Sequence, residues 1–313
     1  YKFLKKENEI FLYDDQKINN KNVRIKKKIL SYKALIKKNF EYIIISPGID
    51  ANKCKLSEFL KKNLNKIHTD LDIFYSIYNR NKIITITGTN GKSTTAKILY
   101  EILRDQKMDV RLVGNIGNPI LLENKIRKNT IFVIEASSYQ LDYSKLFKSN
   151  ISAILKISTE HLERHKTIKE YIKVKFKLIK NQTKKDYAIL NINNSYIKKT
   201  LKKNNFLSTI IKIKKYIDSQ TLKKIDNQYF LTESNRENLS FVLEIANILN
   251  LKTKYLFKTL KKFKGLNYRQ QEIFKSKKLT IINDSKATSF SSSVSILKSL
   301  SNVYWIVGGL AKK

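Results

Sequence analysis

A strand-like apolar run meets a short loop with one lysine and several hydroxyl side chains, in the sequence ITITGTNGKSTTAKIL at residues 84–99. The two glycines of the loop permit a tight turn and a close approach of the main chain to a phosphate. Lys92 follows at the start of a helix, whose free N–H groups and dipole favour anions. We therefore expect Lys92 to contact the β and γ phosphates of a nucleotide, and Ser93 or Thr94 to hold Mg²⁺.

The loop differs in one position from the common phosphate-binding pattern GxxxxGK[ST]. Ile86 stands where that pattern has its first glycine, so the matching stretch is the shorter GTNGKST. An ordinary strand-to-helix turn is the alternative interpretation. The order of strand, turn and helix favours phosphate binding.

Two candidate metal ligands follow other strand-like runs. Glu135 ends TIFVIE, and His161 lies in TEHLERH directly after ISAILKIS. The carboxyl ends of parallel strands meet at one edge of a sheet, where ligands of such sheets bind. Alone, His161 is more typical of a capping or packing histidine, but its place after a buried strand favours a metal ligand.

The elements that must position these side chains form an alternating series. Continuous Ile, Val and Leu runs separated by polar, helix-capable segments predict a parallel α/β sheet. The predicted strands are 10–13, 42–46, 82–87, 130–135, 151–158, 187–192, 279–284 and 303–309, and the clearest helices are 53–64 and 235–249. The fold class predicted is α/β.

Three α/β units fit this series better than two. The predicted domains are residues 1–80, 81–266 and 267–313, with the start of the first and most of the third expected to be missing. The central unit carries the phosphate loop. The break SPG after the run at 42–46 lies at the edge where parallel sheets bind ligands.

The composition bears on partners and location. The 63 Lys and Arg against 26 Asp and Glu give a formal charge of +37, which raises a nucleic-acid-binding protein as an alternative of a different class. The basic residues are mostly lysines spread along the whole chain, which is more typical of a solvated surface. One cysteine, Cys54, and the lack of a long apolar run predict a cytoplasmic protein without disulfides or membrane association.

Eight ordered blocks resemble the Mur ligase family over essentially the whole chain. The blocks are GTNGKST (88–94), GNIG (114–117), EASSYQLD (135–142), TEHLERH (159–165), SNRENLSF (234–241), YRQQE (268–272), NDSKAT (283–288) and GGLAK (308–312). The block NDSKAT is similar to the branch of the family that adds D-glutamate. Folylpolyglutamate synthetase, which is similar at the phosphate loop, is the alternative within this superfamily.

The resemblance implies an ATP-dependent ligase with three domains: a Rossmann-like first domain, a central P-loop ATPase domain and the start of a Rossmann-like third domain. It would join D-glutamate to UDP-N-acetylmuramoyl-L-alanine through an acyl phosphate, in peptidoglycan precursor synthesis, with ATP and two Mg²⁺ ions. A monomer that binds neither nucleic acid nor membrane is expected.

The resemblance also implies roles for individual residues. The implied ATP-binding residues are Gly88, Thr89, Asn90, Gly91, Lys92, Ser93, Thr94, Asn235, Asn238, Arg269 and Asp284. The implied substrate-binding residues are Asp14 (with Asp15 adjacent), Asn115, Ser137, Ser138, Gln140, Lys286, Thr288 and Lys312. Ser93, Thr94 and Glu135 would surround the first Mg²⁺, and His161 and a carbamylated Lys175 the second. On sequence alone, Lys175 in KVKFKLIK would be an ordinary surface charge.

Overall fold

The structure, a computed structural model, describes residues 3–4, 8–16, 23–287 and 290–309 of the chain. The strands in these ranges are β1 (Ile43–Ile44), β2 (Ile67–His68), β3 (Lys82–Thr87), β4 (Val110–Gly114), β5 (Ile131–Glu135), β6 (Ile151–Ile154), β7 (Tyr187–Asn191), β8 (Thr209–Ile213), β9 (Gln271–Lys275) and β10 (Thr280–Asn283).

The helices lie between these strands and after them. They are α1 (Val23–Lys26), α2 (Tyr32–Ile36), α3 (Ser57–Lys62), α4 (Asp70–Tyr78), α5 (Lys92–Asp105), α6 (Ser138–Asp142), α7 (Leu162–His165), α8 (Ile168–Lys180), α9 (Ser195–Lys203), α10 (Ser219–Ile225), α11 (Glu233–Ile248), α12 (Thr253–Lys262) and α13 (Phe290–Leu297). Short 3₁₀ turns occur at Leu64–Lys66, Ile120–Leu122 and Gln228–Leu231. Within the described residues, no helix combines the length and apolar character that crossing a bilayer requires.

The central sheet has six parallel strands in the order β4-β5-β3-β6-β7-β8. The chain leaves β3 for the edge strand β4, returns through β5, and then continues on the other side of β3 with β6. The direction of winding therefore reverses at β3, and the carboxyl edge beside such a reversal is where open parallel sheets bind ligands.

Alternate residues of the central strands face two different cores. Ile84 and Ile86 of β3 pack with α5 and α11 on one face. Ile83 of β3 packs on the other face with residues of α4 and α8. Because both faces are covered by helices, these strands are apolar on both sides, which explains their continuous Ile and Val runs.

Most of the predicted elements are confirmed. The run 82–87 coincides with β3, and the runs at 42–46, 130–135, 151–158, 187–192 and 279–284 contain β1, β5, β6, β7 and β10. The strand predicted at 10–13 is wrong, because Leu12 makes only an isolated bridge with Ile29. The strand predicted at 303–309 is wrong as well, because this apolar segment has no strand partner among the described residues. An apolar run without a partner chain to accept its hydrogen bonds does not form a strand.

A buried carboxylate joins α4 to the loop after α6. The Asp72 side chain accepts hydrogen bonds from the Ser144 hydroxyl at 2.7 Å and from the backbone N–H groups of Lys145, Leu146 and Phe147 at 3.0, 2.9 and 3.1 Å. Asp72 is only 1% exposed, so these donors have no easy alternative acceptor. This contact fixes the segment between β2 and β3 against the loop that follows α6.

Replacing Asp72 should destabilise the fold. We expect Asp72→Ala to lower the free energy of unfolding by about 3 kcal/mol or more, because each stranded buried donor costs about 1–3 kcal/mol. Urea denaturation followed by circular dichroism measures this. Glu170→Gln, which alters an exposed pair with Lys173, is the control and should change stability by less than about 1 kcal/mol. A loss below about 1 kcal/mol in Asp72→Ala would contradict the assigned role of Asp72.

Candidate active site

The turn between β3 and α5 requires glycine at Gly91. Its φ is +86°, in the left-handed region, and a Cβ atom there would lie 2.2 Å from Oδ1 of Asn238. Any larger residue would therefore strain the backbone and collide with α11. The first turn of α5, which contains Ser93 and the buried Thr94, thus begins directly behind a tightly packed loop.

Thr89 fixes this loop to the segment that follows β6. Its backbone N–H donates to the Lys156 carbonyl at 2.8 Å, and its hydroxyl accepts from the Ser158 N–H at 2.9 Å. The Tyr171 hydroxyl lies 3.2 Å from the same oxygen. The Thr89 side chain therefore holds the loop in place, while Asn90 meets α13 through the Ser292 hydroxyl at 3.3 Å.

The Lys92 ammonium lies over the loop at the start of α5. Its Nζ donates to the Thr89 carbonyl at 2.7 Å. Burial lowers the pKa of Lys92, and the nearby carboxylates of Glu135 and Glu160 act in the opposite direction. A cation held in this way beside a helix N-terminus is suited to an anion such as a phosphate.

A cavity of about 360 Å³ opens at the carboxyl edge of the central sheet. It brings together residues from the ends of β1, β3, β4, β5 and β6 and from α8. Its lining consists of Pro47, Gly48, Gly88, Lys92, Asn115, Ser137, Ser138, Tyr139, His161, Tyr171 and Lys175. Seven of the predicted site residues therefore share one cleft with the phosphate loop.

Glu135 lies under this cleft at the end of β5. It is 1% exposed, and its Oε1 accepts from the Asn115 side-chain amide at 2.9 Å. Its Oε2 is buried and makes no hydrogen bond to the described part of the chain. A buried carboxylate oxygen without a donor is costly, and a bound cation would remove that cost.

His161 reaches the cavity from a strained backbone conformation. Its φ of +57° and ψ of 35° are in the left-handed region, at the residue that precedes α7. Its Nδ1 lies 3.2 Å from the Tyr139 hydroxyl and 3.3 Å from Oε1 of Glu163, while its Nε2 lies 3.8 Å from Oε2 of Glu160. Burial raises the pKa of Tyr139 to about 12, with the hydrogen bond to Glu163 adding to this effect.

Lys175 is a buried residue of α8, so its interpretation as an ordinary surface charge is wrong. It is 1% exposed, its Nζ donates to the Gly88 carbonyl at 2.9 Å, and the same atom lies 4.6 Å from the Tyr171 ring centre. Burial lowers the pKa of Lys175 far below its usual value, and the neighbouring Lys92 lowers it further. The amine is consequently far easier to deprotonate than an exposed lysine.

At the start of α6, beside the same edge of the sheet, two side chains accept hydrogen bonds from backbone N–H groups. Ser137 caps the helix and accepts from the Gln140 N–H at 3.2 Å, while Oε1 of Gln140 accepts from the Ser137 N–H at 3.1 Å. The Ser138 hydroxyl lies 3.0 Å from Nε2 of His165. Ser137 and Ser138 line the cavity, whereas Gln140 is buried behind it and is occupied in capping.

The predicted ATP-binding residues outside the loop lie on its α11 side. Asn238 packs against Gly91, and the Asn235 amide donates to the Tyr229 carbonyl at 2.8 Å. Arg269 is close enough to Lys92 for its positive charge to lower the pKa of that lysine slightly. Asp284 accepts from the Gln270 N–H at 3.1 Å and from the Ser293 hydroxyl at 2.8 Å.

Besides Gln140, two described substrate residues of the prediction, Asp14 and Lys286, do not line the cavity. Asp14 is exposed and accepts from the Gln16 N–H at 2.9 Å, and neither it nor Asp15 is among the described residues that line the cavity. Lys286 lies in the turn after β10, where its N–H donates to the Tyr268 carbonyl at 3.0 Å. Thr288 and Lys312 lie outside the described residues.

Three residues near the cavity were not predicted from the sequence as site residues. Tyr139 and Tyr171 line it, and Glu160 lies beside His161. Two of them lie inside the blocks EASSYQLD and TEHLERH, and Tyr171 lies four residues before Lys175, which was the available signal. Nothing in their residue types separates them from packing residues until the sheet brings the three segments together.

Together, the parallel sheet and its glycine-dependent loop define an α/β protein with a cavity at the switch point of the sheet, beside Lys92. The model of the Mur ligase middle domain matches residues 86–256. The chain is 32% identical to the UDP-N-acetylmuramoylalanine–D-glutamate ligase of Rickettsia bellii, over 100% of this chain and 74% of that protein. It is 35% identical to the enzyme of the same name from Francisella philomiragia, over 87% of this chain and 65% of that protein.

Solved structures agree with this fold. MurF from Acinetobacter baumannii superposes with a TM-score of 0.57 at 16% identity, covering 75% of this chain and 57% of that one. MurF from Thermotoga maritima in complex with ADP superposes with a TM-score of 0.56 at 15% identity, covering 85% of this chain and 73% of that one. The chain belongs to the Mur ligase family.

The buried Lys175 amine predicts a pH-dependent stability. Because the unfolded chain holds the lysine proton over a pH range in which the folded chain does not, the free energy of unfolding should rise with pH below the usual lysine pKa of about 10.4. Lys175→Met cannot titrate. We therefore expect it to exceed the parent in stability at pH 7, by a margin that shrinks toward pH 10 with a limiting slope of about 1.4 kcal/mol per pH unit.

Urea unfolding in carbon-dioxide-free buffer between pH 7 and 9.5 measures this margin. Lys173→Met, on the same helix but with a side chain 70% exposed, is the matched control and should show no such trend. A margin for Lys175→Met that stays constant with pH would contradict the depressed pKa.

Proposed function

We propose that this chain belongs to an ATP-dependent ligase that joins D-glutamate to UDP-N-acetylmuramoyl-L-alanine in peptidoglycan precursor synthesis. The names of the Rickettsia and Francisella relatives state this activity for those proteins. The observation that carries the proposal is the single cavity shared by Lys92, Asn115, His161 and Lys175. It supports one site for phosphoryl transfer and for the acceptor substrate.

We propose that the turn from Gly88 to Thr94 and Lys92 bind the ATP phosphates. The free N–H groups at the start of α5 and the Lys92 ammonium point at this position, and the helix dipole favours negative charge there. The relative from Thermotoga maritima, solved with ADP, supports nucleotide use by this fold. Asn235, Asn238, Arg269 and Asp284 would complete the nucleotide site from the α11 side.

The residues at this edge fit Mg²⁺. The described residues contain no ready-made cluster of three His, Cys, Asp or Glu side chains. Mg²⁺ in phosphate sites usually takes only one or two protein carboxylates, with phosphate and water oxygens completing its shell. Ser93, Thr94 and the unpartnered Oε2 of Glu135 would hold one ion, and His161 and Lys175 a second. When bound, the ions neutralise charge on the transferring phosphoryl group.

Lys175 suits the proposed carbamate. A protonated amine would repel a divalent cation, whereas the depressed pKa of Lys175 makes a neutral amine accessible. The amine nitrogen would form a bond to the carbon of CO₂ and release one proton to solvent, which leaves an anionic carbamate. The carbamate oxygens would then extend from the Lys175 position beside Gly88 and Tyr171 toward the phosphates.

The proposed reaction proceeds in two transfers. The alanine carboxylate attacks the γ phosphorus of ATP, the bond to the β–γ bridging oxygen breaks, and ADP leaves behind an acyl phosphate. The D-glutamate amine then attacks the acyl carbon and expels inorganic phosphate, with loss of an amine proton. Lys92 stabilises the charge that develops on the phosphoryl oxygens. Asn115, Ser137 and Ser138 would orient the uridine-linked substrate, and Lys286 would face the D-glutamate side.

The alternative acceptor substrate and the alternative class of protein have less support. The block NDSKAT and the names of the relatives favour D-glutamate ligation over folylpolyglutamate synthesis. The family membership likewise favours an enzyme over the nucleic-acid-binding protein that the charge of +37 suggested. Phosphate release with UDP-N-acetylmuramoyl-L-alanine and a panel of amine acceptors tests the proposal directly. D-glutamate should be the preferred acceptor, and a preference for folate or for L-glutamate would overturn the assignment.

Lys92 gives the sharpest test of the phosphate assignment. We expect Lys92→Ala in the intact enzyme to lower the rate of ATP-dependent ligation at least about 10³-fold, because a charge that stabilises the transition state is lost. Lys97→Ala, one and a half turns further along α5, is the control and should retain activity. Turnover of Lys92→Ala near that of the control would count against Lys92 as the phosphate-binding lysine.

The carbamate has a separate test. We expect Lys175→Ala to lose activity about 10²-fold, and short carboxylates such as acetate or formate to restore part of it by supplying an oxygen anion at the vacated position. Lys173→Ala should neither lose activity nor respond to carboxylates. A Lys175→Ala enzyme as active as the parent would refute the carbamate assignment.

A further inference from the structure

Three side chains form a closed triangle at the rim of the cavity. The Tyr139 hydroxyl donates to Oε1 of Glu163 at 2.9 Å, and the same hydroxyl lies 3.2 Å from Nδ1 of His161. Nδ1 of His161 in turn lies 3.3 Å from Oε1 of Glu163. The triangle joins the start of α6 to the start of α7, two segments that are 22 residues apart in the sequence.

The protons available to this triangle fix the state of the imidazole. The phenol has one proton, which it gives to the carboxylate, and an ionised carboxylate has none. A bare Nδ1 would face two oxygen lone pairs, whereas a protonated Nδ1 donates to them. The triangle is therefore satisfied when Nδ1 of His161 has a proton, and in the neutral form of the ring this places the lone pair on Nε2.

The other ring nitrogen of His161, Nε2, makes no hydrogen bond to the described residues. In the described part of the chain, the hydrogen bonds of the His161 ring are made at Nδ1, and the nearest carboxylate oxygen to Nε2, from Glu160, is 3.8 Å away. That distance exceeds a hydrogen bond. The lone pair on Nε2 is consequently available to an electrophile in the cavity that His161 lines.

The backbone and the aromatic packing support the same orientation. His161 has a φ of +57°, which costs free energy in a residue with a side chain and persists only where its surroundings require it. The Tyr139 ring lies edge-on to the imidazole at a centroid distance of 5.0 Å, and the Tyr171 ring does so at 6.3 Å. The ring of Tyr139 packs against the imidazole, and its hydroxyl contacts Nδ1 of the same ring.

We propose that Tyr139 and Glu163 are positioning residues that hold His161 as the Nδ1–H tautomer with Nε2 directed into the cavity. Histidines that bind metals commonly donate their second nitrogen to such an outer partner, and losing it typically costs 10–100-fold in metal affinity. The inference rests on the proposed function for the nature of the species at Nε2. The tautomer itself does not depend on that function.

The test uses variants that change the triangle with little change in shape. Tyr139→Phe removes only the hydroxyl and retains the ring that packs on His161. Glu163→Gln alters a side chain that is 61% exposed, and its amide N–H can donate to Nδ1 and so permit the other tautomer. Tyr143→Phe is the matched control, because it removes a nearby hydroxyl that accepts from the Ala51 N–H at 3.2 Å.

Long-range ¹⁵N–¹H spectra of the metal-free protein report the tautomer of each of the three histidines. His161→Gln identifies the His161 signals, and a pH about two units above the ordinary imidazole pKa of about 6.5 keeps the rings neutral. We expect the Nδ1–H tautomer in the parent and in Tyr143→Phe, and a large Nε2–H fraction in Tyr139→Phe combined with Glu163→Gln. A parent in the Nε2–H form, or a tautomer unaffected by either substitution, would overturn the proposal.

Binding of Mn²⁺ with a non-hydrolysable ATP analogue gives the second readout. We expect the dissociation constant of the metal to rise 10–100-fold in the double variant and to stay unchanged in Tyr143→Phe. Affinity for the analogue in the presence of a chelator should be equal in all three. If the parent itself binds no metal, the metal assignment of the proposed function fails, while the tautomer measurement still decides the role of Tyr139 and Glu163.

Discussion

The pairing of β3 with β5 on one side and β6 on the other is the constraint on which the site depends. Ile86 pairs with Glu135, and Thr87 pairs with Ile154, so the three strands end nearly level. A parallel pairing gives the strand ends a common edge, and the change of winding direction at β3 leaves a crevice there. The phosphate loop, the buried carboxylate and the segment that carries His161 meet because these ends meet.

Three charged or chargeable groups share this edge at a cost to stability. Lys92 lowers the pKa of Lys175, while Glu135 favours both ammonium forms and has one oxygen without a donor. Such a group of buried polar atoms is under-satisfied in the protein alone. Its arrangement is complementary to an anionic ligand accompanied by cations, and a site built in this way is already organised for the charge that phosphoryl transfer develops.

The sequence predicted the central sheet and its loop because each rests on local rules. Buried strands require continuous apolar runs, and GTNGKST needs glycine where the backbone turns. The prediction from sequence failed where the structure of a segment depends on residues that are distant in the chain. The apolar run at 303–309 resembles β3 in composition but has no strand beside it among the described residues. Lys175 resembles its neighbours in KVKFKLIK, and only the fold shows that it is buried. Tyr139 and Glu163 acquire a role only through a contact across 22 residues.

The central claim is that Lys92, Glu135 and His161 serve one polyphosphate and its cations. The most direct measurement is a crystal structure with Mn²⁺ and a non-hydrolysable ATP analogue, with the metals located by anomalous scattering. The account predicts the terminal phosphates within hydrogen-bond reach of Lys92 and the Gly88 turn, one metal at about 2.0–2.2 Å from Oε2 of Glu135, and a second bound by Nε2 of His161. Phosphates bound elsewhere, or metals that avoid both side chains, would contradict it.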